Sequence, residues 1–311
     1  GQSAIDHPPG GRQRREKGEE KKKDTFREKN ATKCPVCSFE FNQEKMLTGG
    51  GRLIAGKLTD ELRRLYEENK KVGKIYPLAY VIVVCPKCLY ASYPQDFSNI
   101  TPEEAAAVKS TASARMQTLQ KFFPNLDFLA DRTLSHAAAS FMLAVDIYGM
   151  RNKHVAPTFK RAVSSIRAAW LFDDLAAEFP ESQYKKISTF FYLKAYGFYE
   201  KVLDLFTTGV EPVEAAGSLG PDYDKNWGYE GVLYLYAVLT IKLGVREPDI
   251  KKRIDNFERT KRILSKVFGI GKSSKNKPGA LIDMTRDQYD KINNMLAQWY
   301  QETGQNPAAG A

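Results

Sequence analysis

Cys34-Pro35-Val36-Cys37-Ser38-Phe39-Glu40-Phe41 and Cys85-Pro86-Lys87-Cys88-Leu89-Tyr90-Ala91-Ser92 are the two stretches on which the reading of this chain turns. Between them they hold every cysteine of the 311-residue sequence, four in all. A CxxC pair can place two thiolates on a tight turn with backbone N–H groups directed at sulfur. Two such turns brought together offer four soft ligands in a tetrahedron, a donor set that suits Zn2+. Iron in a rubredoxin-like site uses the same ligands, and disulfides compete for them. A thioredoxin-like redox pair would need a βαβ context that is not seen here. Four sulfurs close the coordination sphere, so Cys34, Cys37, Cys85 and Cys88 are expected to hold a structural zinc and to do no catalysis. Ser38 and Leu89 stand where such knuckles often carry glycine for a positive φ.

Working outward, 47 residues separate Cys37 from Cys85, against about 15–20 in a compact ribbon. An inserted loop and helix are expected there. Asp60–Asn69 reads as the short helix, with Leu62, Leu65 and Tyr66 on one face. Tyr76–Val84 is apolar, β-branched and aromatic, and reads as a strand running into Cys85. Before the first cysteine, residues 1–32 hold Pro8-Pro9-Gly10-Gly11 and a dense charge mixture, with Ile5 and Phe26 the only large apolar side chains. This segment reads as a disordered basic tail, carrying a net of +4 when counted to Lys33.

From Thr101 the pattern turns helical. Thr101-Pro102-Glu103-Glu104 is a capping box with proline in the first turn. Helices are expected over about 101–123, 126–150, 157–178, 181–206, 227–243, 248–268 and 285–303. The last six group as three pairs, 126–150 with 157–178, 181–206 with 227–243 and 248–268 with 285–303, which fits a helical-repeat layout of the tetratricopeptide kind. The fold class is therefore mainly α. A small zinc-ribbon-like α+β head over residues 33–100 precedes a helical-repeat body over 101–303 and a flexible tail over 304–311.

The two cysteine stretches, with Tyr76-Pro77-Leu78-Ala79-Tyr80, Tyr93, Asp96-Phe97 and Ala168-Ala169-Trp170-Leu171, resemble an uncharacterised bacterial family. Its members pair a CPxC…CPxC zinc-ribbon-like head with tetratricopeptide-like helices. The resemblance covers about Lys33 to Leu243. It implies a bacterial protein with head and repeats, and implies no activity.

Composition narrows the function further. The chain carries 47 Lys+Arg and 37 Asp+Glu, a formal charge of +10. That charge has two addresses, the tail and Ile250–Lys277, the latter with a net of +8. Lys251, Lys252, Arg259, Arg262, Lys266 and Lys272 are the candidate contacts for an anionic partner. A hydrophobic content of 42% supports a real core and excludes global disorder. The longest apolar run falls far short of the roughly 20 residues that span a bilayer, so a soluble protein is expected. Metal-type cysteines point to the cytoplasm.

Several motifs carry no chemistry. Gly51–Leu58 nearly matches a phosphate-binding loop, but Leu58 stands where the Mg2+-binding hydroxyl belongs and no apolar strand precedes it, so a flexible loop is expected. Gly271-Lys272-Ser273 is weaker still. His7, His136 and His154 are scattered, and Asp173, Asp174 and Glu178 read as a solvated acidic face. The expected function is a non-enzymatic scaffold or adaptor whose helical body binds another protein. A nucleic-acid-binding module using the head and residues 250–277 is the alternative. The oligomeric state is left open.

Overall fold

A computed structural model of the chain describes residues 25–47, 49–270 and 279–304. The head is built from four short antiparallel pairings. Strand β1 (Thr25–Arg27) pairs with β4 (Glu44–Met46), and β2 (Thr32–Lys33) with β3 (Glu40–Phe41). These form one long hairpin with a register shift between its halves. The Asn42 amide bridges the shift by donating to the carbonyls of Glu28 and Lys29. Strand β5 (Ile54–Leu58) pairs with β6 (Arg64–Glu67), and β7 (Val83–Val84) with β8 (Ala91–Ser92).

Four expectations for this region are corrected. Asp60–Asn69 is not a helix. Thr59 closes a turn by accepting Arg63 N–H on Oγ1 and Leu62 N–H on its carbonyl, Leu62 adopts φ 59°, and the chain doubles back as β6. Cross-strand pairing overrides the local helical pattern. Tyr76–Val84 is not a continuous strand. Pro77 opens a 3-10 turn over Pro77–Tyr80, and extended pairing starts only at Val83. The run lacks alternation because Pro77, Leu78, Ala79, Ile82, Val83 and Val84 are all buried. Gly51–Leu58 is not a loop throughout, since its second half is β5. Thr25–Arg27 belongs to the head rather than to a structureless tail. Residues 1–24 lie outside the described residues, as do 271–278 and 305–311.

The α-helices are α1 (Pro94–Phe97), at the end of the head, and, in the body, α2 (Pro102–Ser110), α3 (Ala112–Phe122), α4 (Leu134–Ile147), α5 (Pro157–Glu178), α6 (Tyr184–Thr207), α7 (Gly228–Leu243), α8 (Ile250–Ile270) and α9 (Gly279–Thr303). The Thr101–Glu104 capping box forms in both directions. The expected 101–123 helix breaks at Thr111, where ψ rises to 4°. There the Thr111 hydroxyl and the Arg115 guanidinium take up the carbonyl of Val108. The expected 126–150 helix starts only at Leu134. Asn125 at φ 65° and an Asp127 side chain accepting Leu129 N–H hold the preceding residues in a loop. The expected 285–303 helix begins six residues earlier, at Gly279, and the other helices stand within a few residues of their expected bounds.

Each long helix from α4 onward packs on its sequence neighbours. The closest packing joins α5 to α6 across the proposed pair boundaries, so the array is continuous and not three separate pairs. Phe172 and Phe191 stack at 5.6 Å in that seam, with Phe123 and Tyr184 beside them. Ala168, Ala169, Trp170 and Leu171 are all buried. One apolar cluster runs without interruption from Cys34 in the head to Leu281 in α9, and a second joins Ile254, Phe257, Leu264, Ile292, Leu296 and Trp299.

Charges seal the junction of head and body. The Lys160 ammonium lies 2.5 Å from Asp96 Oδ2, which also accepts the Tyr148 hydroxyl at 2.5 Å, and all three residues are nearly closed to solvent. Arg151 pairs with Glu104 at 3.2 Å and donates to the Tyr90 hydroxyl. Removing one partner of such a pair strands the other in low dielectric. Lys160→Met is therefore expected to cost about 3 kcal/mol in urea unfolding, while Lys185→Met, whose ammonium reaches Asp173 in the open, costs under about 1 kcal/mol.

His136 also has a structural role. It occupies the third position of α4, accepts Thr133 N–H on Nδ1, and reaches the Asp127 carbonyl with Nε2 at 2.9 Å. That tautomer is neutral, and burial holds the imidazole below its ordinary 6.5. The unfolded chain thus takes up the proton first, so this contribution to stability is complete above pH 6.5 and is lost as pH falls through that value and lower. Between about pH 7.5 and about pH 5.5, the urea midpoint of the wild type should fall further than that of His136→Gln, whose amide can make the same two bonds without titrating.

Candidate metal centre

Each CxxC sits at the tip of a hairpin, and the two tips have the same construction. In the first, Cys34 N–H donates to the Phe39 carbonyl at 2.8 Å and Ser38 N–H to the Cys34 carbonyl at 2.9 Å. In the second, Cys85 N–H donates to the Tyr90 carbonyl at 2.8 Å and Leu89 N–H to the Cys85 carbonyl at 3.0 Å. The flanking ladders match residue for residue: Lys33 faces Glu40 as Val84 faces Ala91. Ser38 and Leu89 take φ 60° and 57°, the conformation that glycine adopts freely. The knuckle geometry is thus made without glycine. At Leu89 burial of the side chain offsets the backbone strain.

The structure brings Cys34, Cys37, Cys85 and Cys88 together, with all four sulfurs within 4.8 Å of one another. The Sγ–Sγ distances are 3.7 Å for Cys34–Cys88 and 3.6 Å for Cys37–Cys85, two edges that each join opposite knuckles. An ion held at about 2.3 Å by four tetrahedral sulfurs requires edges of about 3.8 Å. These distances also exceed a disulfide bond, and all four thiols are free. Cys34, Cys85 and Cys88 are buried, while Cys37 lies at the rim.

Thiol hydrogen bonding within the cluster lets one sulfur carry the charge. Bonds from Cys85 and Cys88 push the Cys34 thiol down to about 2, and the bond to Cys34 pushes Cys85 up to about 12 and Cys88 higher still. Four thiolates at this spacing require a cation between them.

Sequence reading missed the support around the sulfurs. Buried Arg115 donates from Nη2 to the Cys88 carbonyl at 3.2 Å and the Val108 carbonyl at 2.7 Å, which sets a positive charge behind the second knuckle. Tyr90, fully buried, donates to the Phe97 carbonyl at 3.1 Å. The detectable signal was a cationic residue at core spacing. Lys160 and Arg167, seven apart, fall on the inward stripe of α5 among Val163 and Ser164.

The proposed anionic-partner residues lie on α8, in the part of the body built from α7, α8 and α9. Lys251, Lys252, Arg262 and Lys266 are exposed. Arg259 is engaged with Glu200 at 3.1 Å and Asp204 at 3.7 Å. Lys272 lies outside the described residues. The acidic candidates are also bound: Asp173 to Lys185, Asp174 to Arg63, and Glu178 to Lys74 and Tyr76.

Residues 27–292 match a family described as "Uncharacterized protein conserved in bacteria (DUF2225)". A relative from Borreliella burgdorferi (strain ATCC 35210 / DSM 4680 / CIP 102532 / B31), itself called "Uncharacterized protein", is 41% identical over 276 residues, covering 88% of this chain and 98% of its own. The chain belongs to that bacterial family. No solved structure matches it. Among the described residues, no helix is long and apolar enough to cross a membrane.

Loss of one ligand should remove both metal and order. Cys34→Ser or Cys85→Ser is expected to lose bound metal and expose residues 33–92 to limited proteolysis, while α5–α9 retain their far-ultraviolet signal. Arg115→Met should keep the metal and lower stability by about 1–3 kcal/mol, because the Cys88 and Val108 carbonyls lose their donor.

Proposed function

We propose that the protein is a non-enzymatic scaffold of the bacterial cytoplasm: a zinc-stapled head fixed to a helical body that binds another protein. Four thiolates that leave no position for water or substrate support a structural ion, for which zinc is the reading put forward. Its task is to hold together short strands that carry too little core of their own.

The observation that carries the binding role is an apolar stripe on α6. Phe190 is 52% and Leu193 50% exposed. Gly197, one turn further along the same face, has nothing within 4 Å of where a Cβ would sit. The result is two apolar knobs followed by a shallow saddle. Lys186 and Lys201, both exposed, flank the stripe on the same face. Two exposed apolar side chains bordered by lysines, with Lys194 Nζ 4.9 Å over the Phe190 ring, fit an apolar segment bordered by acidic side chains.

The second reading, binding of nucleic acid, draws on the exposed Lys251, Lys252, Arg262 and Lys266 of α8. Pairing of Arg259 with Glu200 and Asp204 weakens it.

Elemental analysis of the purified protein should give one zinc per chain; stoichiometric iron would overturn that assignment. In crosslinking pull-downs from the source bacterium, Phe190→Glu with Leu193→Glu should lose the captured partner while its thermal midpoint holds. Lys251→Glu with Lys252→Glu should keep it. The reverse pattern, with a salt-sensitive gel shift, would move the function to nucleic acid.

A further inference from the structure

Lys160 on α5 reaches Asp96, and Lys185 on α6 reaches Asp173. Arg161 and Lys194, half-buried on the same two helices, have no such partner. Among the described residues, neither makes a hydrogen bond or an ion pair. The Arg161 guanidinium lies 4.3 Å from the centre of the Phe198 ring and against Gly149, where an added Cβ would touch it at 3.4 Å. The Lys194 ammonium stands 4.9 Å over Phe190 and 6.0 Å over Phe198. Two half-buried cations thus share one ring.

A charge held partly out of water without a counter-ion is costly, and a like charge beside it adds to the cost. Burial lowers both groups from their ordinary values, and the charge of Arg161 lowers Lys194 further. Asp146, exposed near the end of α4, attracts both without forming an ion pair with either. Arg161 Nε is buried with no partner, while its two Nη groups and the Lys194 ammonium reach the surface. These donors are therefore open to an incoming group. Around α6, Leu193, Phe190, Lys194 and Phe198 follow in that order toward α5. The cation pair thus continues the surface that exposes Phe190 and Leu193.

Resting on the protein-binding reading above, we propose that Arg161 and Lys194 receive the carboxylate of an Asp or Glu side chain of the partner, beside apolar residues that lie on Phe190 and Leu193. A guanidinium offers two parallel N–H groups to the two oxygens of a carboxylate, and the lysine adds a further donor. Two cations and the nearby Asp146 leave one positive charge, which one carboxylate neutralises. A phosphomonoester would bring about −2 and exceed it. Occupation supplies the acceptors and the counter-charge that these two side chains lack in the free chain. Covering the Phe198 ring at the same time excludes water from the pair and strengthens it.

Peptides selected on the full chain from a displayed random library should carry an acidic residue beside two apolar ones. In fluorescence polarisation, changing that acid to Gln should weaken binding by at least about fivefold, and the loss should shrink between about 50 mM and about 500 mM salt. On the chain carrying Arg161→Met with Lys194→Met, the same change should cost under about twofold. That variant should keep the wild-type thermal midpoint, because neither side chain donates a hydrogen bond within the fold. The comparison of acid with Gln on the wild type stands without it. A smaller loss on the wild type, or a loss that persists in the variant, overturns the proposal. Tighter binding when phosphoserine replaces the acid also overturns it, by assigning the pair to phosphate. Peptides that fail on Phe190→Glu with Leu193→Glu but ignore Arg161 and Lys194 remove this proposal and leave the docking reading standing. Peptides that ignore both pairs, or a library that yields no binder, remove both.

Discussion

Convergence of the two CxxC turns is the constraint on which the rest of the structure depends. The Sγ atoms of Cys37 and Cys85 come within 3.6 Å although 47 residues separate them. Closing that distance loops out the whole intervening segment, and the segment becomes a strap across the body. Glu61 at its turn, nearly buried, accepts from Trp170 on α5, Tyr192 on α6 at 2.8 Å and Lys242 on α7. Tyr234 on α7 donates to the Asp60 carbonyl at 2.7 Å. One carboxylate thereby ties the insertion to three helices. The head is not an appendage, since its sulfurs and the centre of the helical array share one apolar cluster.

Buried charge gives the junction its specificity. Apolar packing alone would let the head slide over α4 and α5, because dispersion and area burial have little direction. The bonds of Asp96 to Lys160 and Tyr148, and of Arg151 to the Tyr90 hydroxyl, are satisfied in one arrangement. Such pairs are weak as net stabilisers but costly to mismatch. The arrangement also divides the body into regions. The head covers parts of α4 and α5, α6 leaves Phe190 and Leu193 exposed, and α8 with α9 closes the array over a second apolar cluster.

Much of this was legible in the residues themselves, and the failures share a cause. Pro157–Glu178 was readable end to end, because proline fixes the first turn and the apolar period persists for 22 residues. Asp60–Asn69 was misread as a helix because its three apolar residues satisfy helical spacing, whereas its partner strand, Ile54–Leu58, carries no strong β signal of its own. Tyr76–Val84 was misread because composition favours a strand, while burial on all sides favours a compact turn. Arg115 could not be assigned at all: its role as donor behind Cys88 exists only when α3 lies against the second knuckle.

The sequence by itself determined the four cysteines that could hold a metal, the capped and periodic helices and the order of head before body, since these rest on local geometry and short spacing. Tertiary structure decided that Ser38 and Leu89 accept positive φ, that Arg259 is neutralised by Glu200 while its neighbours stay exposed, and that Arg161 and Lys194 share the Phe198 ring. Those outcomes depend on burial and on partners tens to hundreds of residues away. No local period encodes them, because the free energy that selects them arises only once water has been excluded and the chain has closed on itself.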